Sequence, residues 1–187
     1  MPDLATLPGG TSVFVDTNIF HYHFEGKSKT CTDFIDRVAK GEVEAYVNTQ
    51  VLSDLLHWLM FSEARRKNWL KSTNPQEFKK VLKIQRGLPW SLTDYQQQFE
   101  DILAIGLQIM PITEKLLIET RFEREKYCLM TGDSLHIGTM NRHTIARRKV
   151  PLQHIVTHDG DFAHISGITV WKPMDIPMKT FKAKVMP

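Results

Sequence analysis

Short, continuous apolar runs alternate along this chain with longer segments whose apolar positions recur every three or four residues. The first rhythm marks buried strands and the second marks helices packed on one face. Thr11-Ser12-Val13-Phe14-Val15 is the first such run, stopped by the polar turn Asp16-Thr17-Asn18. Residues 30–40 place Phe34, Ile35, Val38 and Ala39 on one face ahead of Gly41, which predicts a helix with a glycine stop. Ala45-Tyr46-Val47 is a second strand, and residues 51–61 form a well-buried helix that carries Asp54. Asn74-Pro75-Gln76-Glu77 opens another helix, with Asn74 as cap and Pro75 in the first position, and Gly87-Leu88-Pro89 closes it. Thr93-Asp94 caps a helix to about residue 105, and residues 106–112 lead into a third strand. Residues 113–129 read as one helix with a charged outer side, and a further helix runs from Thr131 through Ile145. Residues 154–157 and 168–171 are the fourth and fifth strands. Strands that alternate with helices pair in parallel through right-handed crossovers, so the expected fold is a helix-covered α/β sheet.

With 187 residues there is room for one sizeable core, and the expected organisation is a single domain over residues 1–173. Residues 174–187, with Lys179, Lys182 and Lys184, lack periodicity and read as a loose basic tail. No run approaches the ~20 apolar residues of a membrane span, and Met1-Pro2-Asp3-Leu4 does not begin a secretory signal, so a cytoplasmic protein with no membrane association is expected. Cys31 and Cys128 stand far apart, without the paired spacing of a zinc ribbon or disulfide framework. The eight histidines include no H-E-x-x-H pattern, and no P-loop, dinucleotide fingerprint or G-x-S-x-G elbow occurs. Asp159-Gly160-Asp161 fails as a calcium loop, because His164 and Val170 stand where an EF-hand needs Gly and Glu.

Charge changes the picture in one segment. Between Glu63 and Arg86 eight Lys or Arg residues face two acids, a local charge of +6. A phosphate backbone is attracted to such a face through counterion release, although a solvated helix surface has the same composition. Ligands of an open parallel sheet bind outside the carboxyl ends of its strands, and the residues there are acidic. Asp16 follows the first strand, Asp159 and Asp161 follow the fourth, Asp133 opens a helix, and Asp54 lies in the first turns of another. A single Asp at such a place is commonly a cap or turn residue. Several together repel one another unless a cation neutralises them, and hard carboxylate oxygens suit Mg²⁺ or Mn²⁺. Such an ion activates water and stabilises the leaving oxygen of a phosphodiester, so metal-assisted hydrolysis is the chemistry indicated.

Val13-Phe14-Val15-Asp16-Thr17-Asn18, Gly132-Asp133-Ser134-Leu135-His136-Ile137-Gly138 and Ile155-Val156-Thr157-His158-Asp159-Gly160-Asp161-Phe162 together resemble the motifs of PIN-domain ribonucleases, over roughly residues 12–172. The resemblance implies a three-layer α/β/α fold around a central, mostly parallel five-stranded sheet. It also implies a Mg²⁺- or Mn²⁺-dependent endoribonuclease similar to the VapC toxins of toxin-antitoxin pairs. Asp16, Asp133 and Asp159 would match the family's acidic positions, with Asp161 a further acid of the last motif and Asn18 and Thr157 the polar residues that hold the carboxylates. A homodimer and a small antitoxin that blocks the acidic crevice are further implications.

The chain departs from that pattern twice. The second acidic position, usually Glu, is Asp54, one methylene shorter. The chain is also longer than toxins of this kind, with the extra residues at about 62–93, in the basic stretch. That insertion can serve as an RNA-guiding lip or as a dimer or antitoxin surface, and Trp69 and Trp90 suit either role. The expected contacts to RNA are Arg65, Arg66 and Lys67 of the insertion, together with Arg142, Arg147 and Arg148. The competing expectation is a non-catalytic PIN-like module that binds RNA or a protein, with the carboxylates kept for folding. His158 reads as a lone exposed loop histidine.

Overall fold

Residues 1–70, 75–84, 91–145 and 148–177 are described by the computed structural model. Asn74, Gly87-Leu88-Pro89, Trp90, Lys71, Arg86, Arg147 and the tail lysines therefore lie outside the described residues. In chain order the elements are β1 (Ser12–Val15), α1 (Thr17–Phe24), α2 (Lys29–Ala39), β2 (Glu44–Asn48), α3 (Thr49–Arg66), α4 (Pro75–Ile84), α5 (Asp94–Ala104), β3 (Gln108–Met110), α6 (Glu114–Glu119), α7 (Arg121–Tyr127), α8 (Thr131–Asn141), β4 (Thr144–Ile145), β5 (Arg148–Lys149), β6 (His154–Val156) and β7 (Thr169–Trp171).

Val13, Phe14 and Val15 are fully buried, as a strand covered on both faces requires. They form the middle of a five-stranded, all-parallel sheet of order β3-β2-β1-β6-β7, in which Phe14 pairs with Tyr46 on one side and Ile155 on the other. With helices packed on it the fold is a three-layer α/β/α arrangement. The main core joins the strand residues to Ile19, Phe20, Phe34, Leu55, Ile137, Met140 and Phe162. No helix among the described residues is long and apolar enough to cross a membrane.

The elements differ from the sequence reading in four places. Where a polar turn is expected after Asp16, α1 begins at once, because Ile19 and Phe20 are drawn wholly into the core. Helix α3 starts at Thr49 and continues to Arg66, and Asn48 caps it by accepting a hydrogen bond from Val51 N–H at 3.0 Å. The single helix expected over residues 113–129 is two, broken at buried Thr120, whose hydroxyl donates back to Leu117 O at 3.0 Å. Gly138 of α8 packs against that break so closely that a Cβ there would collide with Thr120 Cγ2. Finally, α8 stops at Asn141, short of Ile145, because β-branched Thr144 and Ile145 pair with Arg148 and Lys149 as the antiparallel β4–β5 ribbon.

A second, smaller cluster of Ala64, Leu70, Phe78 and Leu92 anchors α4 and the start of α5 against the end of α3, with Trp69 packed on it. Beside it Glu63 is wholly buried, yet its carboxylate is fully used. It accepts from Thr93 N–H at 3.1 Å, Tyr95 N–H at 2.8 Å and the Lys67 ammonium at 2.7 Å. Glu63 thus supplies the anionic cap of α5 from 30 residues away. At the start of the expected tail, Asp175 accepts from Ser28 Oγ at 2.7 Å and Thr30 N–H at 3.0 Å.

Candidate active site

The strand order reverses between β1 and β6: the chain builds outward from β1 through β2 to β3, then returns to lay β6 and β7 on the other side. The crevice beyond the carboxyl ends of β1 and β6 is therefore the topological switch point, where open α/β sheets bind ligands. Asp16 is the first residue after β1, and Thr157, His158 and Asp159 are the first after β6. The parallel pairing of Val15 with Val156 brings the two turns side by side.

Asp16 is held from one side. Its Oδ2 accepts from Thr157 Oγ1 at 2.6 Å and from Asn18 Nδ2 at 2.5 Å. Asn18 also accepts from His158 N–H at 3.1 Å, and Thr157 Oγ1 accepts from Asp159 N–H at 2.9 Å. These bonds tie α1 to the turn after β6 and engage Asp16 Oδ2, while Oδ1 lies 4.0 Å from His136 Nε2. Asp159 Oδ1 accepts from Asp161 N–H at 2.9 Å. Asp133 reaches this edge from the first turn of α8.

The electrostatics record how close these carboxylates are. Burial pushes Asp16 up to about 6 against the hydrogen bonds from Thr157 and the Thr17 N–H, and the charges of Asp159 and Asp54 push the same way. Burial likewise lifts Asp133 to about 6, reinforced by Asp159, Asp16 and Asp161. Among the described residues no Lys or Arg forms an ion pair with any of these five acids. The donor set, carboxylate oxygens with an excess of negative charge, fits a hard divalent cation. The spacing is open: among the described residues no three His, Cys, Asp or Glu side chains stand together closely enough to hold an ion. Asp54 is exposed, and both its oxygens accept from Gln50 Nε2, at 2.8 and 2.9 Å.

The expected RNA contacts divide into engaged and free cations. Lys67 is committed to Glu63 and to Ser91 O at 2.6 Å. Arg142 is clamped between Glu119 and Glu123, at 2.9 Å each, at the opposite end of α8 from Asp133. Arg66 lies 3.4 Å from Asp94 with both side chains about half exposed. Arg65 is exposed and forms no ion pair among the described residues, as are and do Lys79, Lys80 and Lys83 on α4. Arg148 lies in β5, and Arg147 is outside the described residues.

Three residues at this edge have no role in the sequence reading. His136, one helical turn after Asp133, is buried between Phe14 and Phe162, and Asn48 lies 3.2 Å from its Nδ1. Tyr22, one turn after Asn18, places its hydroxyl 3.2 Å from His158 Nδ1. The second contact of His158, 3.4 Å from Nε2 to Ile176 O, makes it a partly buried link to the segment after β7 rather than a lone loop histidine. The i, i+3 and i, i+4 spacings from Asp133 and Asn18 are the signal that would have found His136 and Tyr22.

No curated protein matches the chain. Among solved structures, its fold is similar to VapBC2 from Rickettsia felis bound to a promoter DNA fragment, with a TM-score of 0.51 and 16% identity over 87% of this chain and 98% of that one. A toxin-antitoxin complex from Klebsiella pneumoniae is similar at a TM-score of 0.51 and 16% identity, covering 88% of this chain and 99% of the other. At such identity the likeness is one of fold. The PIN domain family model matches residues 13–168, from β1 through the acidic turn after β6, and by that match the chain belongs to the PIN domain family.

Proposed function

We propose that this chain is a Mg²⁺- or Mn²⁺-dependent endoribonuclease, acting in the cytoplasm as the toxin of a toxin-antitoxin pair. The observation that carries the reading is that Asp16, Asp133 and Asp159 lie within one another's electrostatic reach at the switch point, with no Lys or Arg among the described residues paired to them. These three would hold the ion, with Asp161 as a further donor and Asp54 at the solvent margin. When bound, the ion supplies Lewis acidity toward the phosphodiester and activation of water. The protein's own contribution is position. Thr157 and Asn18 fix Oδ2 of Asp16, which leaves Oδ1 to face the crevice, and the hydrogen bonds through Thr157 Oγ1 and Asn18 Oδ1 set the turn that carries Asp159. Exposed Arg65, Lys79, Lys80 and Lys83 would attract the RNA backbone without reading bases. The toxin-antitoxin complexes among the structural neighbours support an antitoxin partner, which would cover the acidic edge, and the resemblance to PIN-domain toxins implies a homodimer.

A non-catalytic module that binds RNA or a protein is the second reading, favoured by the open spacing of the acids. Cleavage of total RNA and tRNA with Mg²⁺, with Mn²⁺ and with chelator, beside Asp16→Ala prepared identically, separates the two. Metal-dependent cuts absent from Asp16→Ala support the nuclease. Binding of RNA without cleavage at any metal supports the module.

A further inference from the structure

Asn48, His136 and Thr139 form a polar group sealed inside the protein, with 0%, 5% and 2% of their surfaces exposed. Every proton in it can be assigned from its neighbours. Asn48 Oδ1 accepts from Val51 N–H, a backbone group that can only donate, so the amide orientation is settled and Nδ2 is the other atom. Thr139 Oγ1 donates to Leu135 O at 2.7 Å, so it accepts one Nδ2 proton at 3.2 Å. The second Nδ2 proton faces His136 Nδ1 at 3.2 Å, which must then accept. An imidazole that accepts at Nδ1 carries its proton on Nε2 when neutral. Nε2 is the atom 4.0 Å from Asp16 Oδ1, the oxygen that Thr157 and Asn18 leave free.

We propose that Asn48 and His136 form a buried positioning relay, which presents an N–H rather than a lone pair to Asp16 Oδ1. His136 then orients the carboxylate and does not itself ligate an ion. The inference rests on Asp16 being an ion-holding group as read above. The separation of 4.0 Å exceeds a hydrogen bond, so the N–H acts on Oδ1 as an oriented dipole. The ring itself is fixed by Phe14, at 5.2 Å between centroids, and by Phe162, at 6.4 Å. Outer groups of this kind tune metal affinity through the ligand that they hold.

Nitrogen-15 shifts of the His136 imidazole in the full-length, metal-free chain at neutral pH test the assignment directly. Nδ1 is expected to be pyridine-like and Nε2 pyrrole-like. Asn48→Asp keeps an oxygen for the α3 cap but replaces the Nδ2 donor with an acceptor, so Nδ1 should gain a proton and become pyrrole-like. Mn²⁺ titration then reads the consequence. His136→Leu keeps the volume and removes the N–H, and should weaken Mn²⁺ binding by about 10–100-fold. His136→Gln, which returns an N–H near the Nε2 position, should recover most of that loss. A protonated Nδ1 in the parent, or unchanged Mn²⁺ affinity in a folded His136→Leu, overturns the relay. Absence of Mn²⁺ binding by the parent overturns the ion-site reading as well as the relay's purpose, a failure that the imidazole shifts distinguish from a wrong tautomer.

Discussion

Asp16 and Asp133 are poorly placed for stability, and their pH behaviour expresses it. Each is raised from 3.8 to about 6, so each contributes stability below 3.8 that is lost as pH rises through about 6. His21 and His136, lowered from 6.5 to about 4, work in the other direction and add stability as pH rises from about 4 to 6.5. Burial lowers His23 and His154 as well, so the histidines outweigh the two carboxylates and the metal-free protein should melt at a higher temperature at pH 7 than at pH 5. Asp133→Asn removes one destabilising charge; we expect it to stabilise the metal-free chain at pH 7 by up to ~2 kcal/mol. The same change should lower metal-dependent cleavage by ~10²-fold or more while RNA binding persists. Thermal melts at the two pH values and a cleavage assay check both halves, and a destabilised Asp133→Asn would contradict the electrostatic account. Asp16, Asp133 and Asp159 were legible because they follow strand ends or open a helix. His136 and Asn48 were not, since a buried polar residue looks like any other until its partners, 88 residues apart, are brought together.

Among the elements, α5 depends on a residue outside itself. Thr93 occupies its cap position but makes no side-chain capping bond, and Glu63 of α3 takes that place. Although burial acts to raise it, Glu63 is held below its ordinary range by Lys67 and by the N–H groups of Tyr95, Asp94 and Thr93. Glu63→Ala should cost roughly 3 kcal/mol, because it leaves those donors and the Lys67 ammonium unpaired beside the small cluster. Urea denaturation gives the magnitude, and hydrogen exchange at Thr93 and Tyr95 should rise before exchange in β1. Thr93-Asp94 marked the start of α5 in the sequence, but no local pattern announces a cap supplied from another helix. The break at Thr120 is hidden for a related reason: charged residues on both sides keep the helical rhythm, while the cause lies in the close approach of Gly138. The β4–β5 ribbon leaves no sequence trace either, since two-residue strands carry too little pattern to compete with the α8 periodicity before them.

For the molecule as a whole, attraction of RNA should be a property of the α4 face rather than of the acidic crevice. Replacing Lys79, Lys80 and Lys83 with Ala should weaken single-stranded RNA binding and flatten its salt dependence by up to ~2 in log–log slope. Filter binding across a salt series measures that slope, and an unchanged value would remove α4 from the interface. The layer architecture and strand sequence were legible from alternation, because each parallel strand is buried on both faces and reads as a clean apolar run. The placement of β6 next to β1 was not, since non-neighbouring strands pair without any local signal. That placement also sets a timetable. The acidic turns at Asp16 and Thr157 meet through a hydrogen bond that spans 141 residues. A nascent chain that has emerged only as far as α8 possesses Asp16 and Asp133 but not the strand that aligns Asp159 with them. The acidic edge is therefore complete only once β6 has been made and laid beside β1, long after the residues of Asp16 and α8 exist.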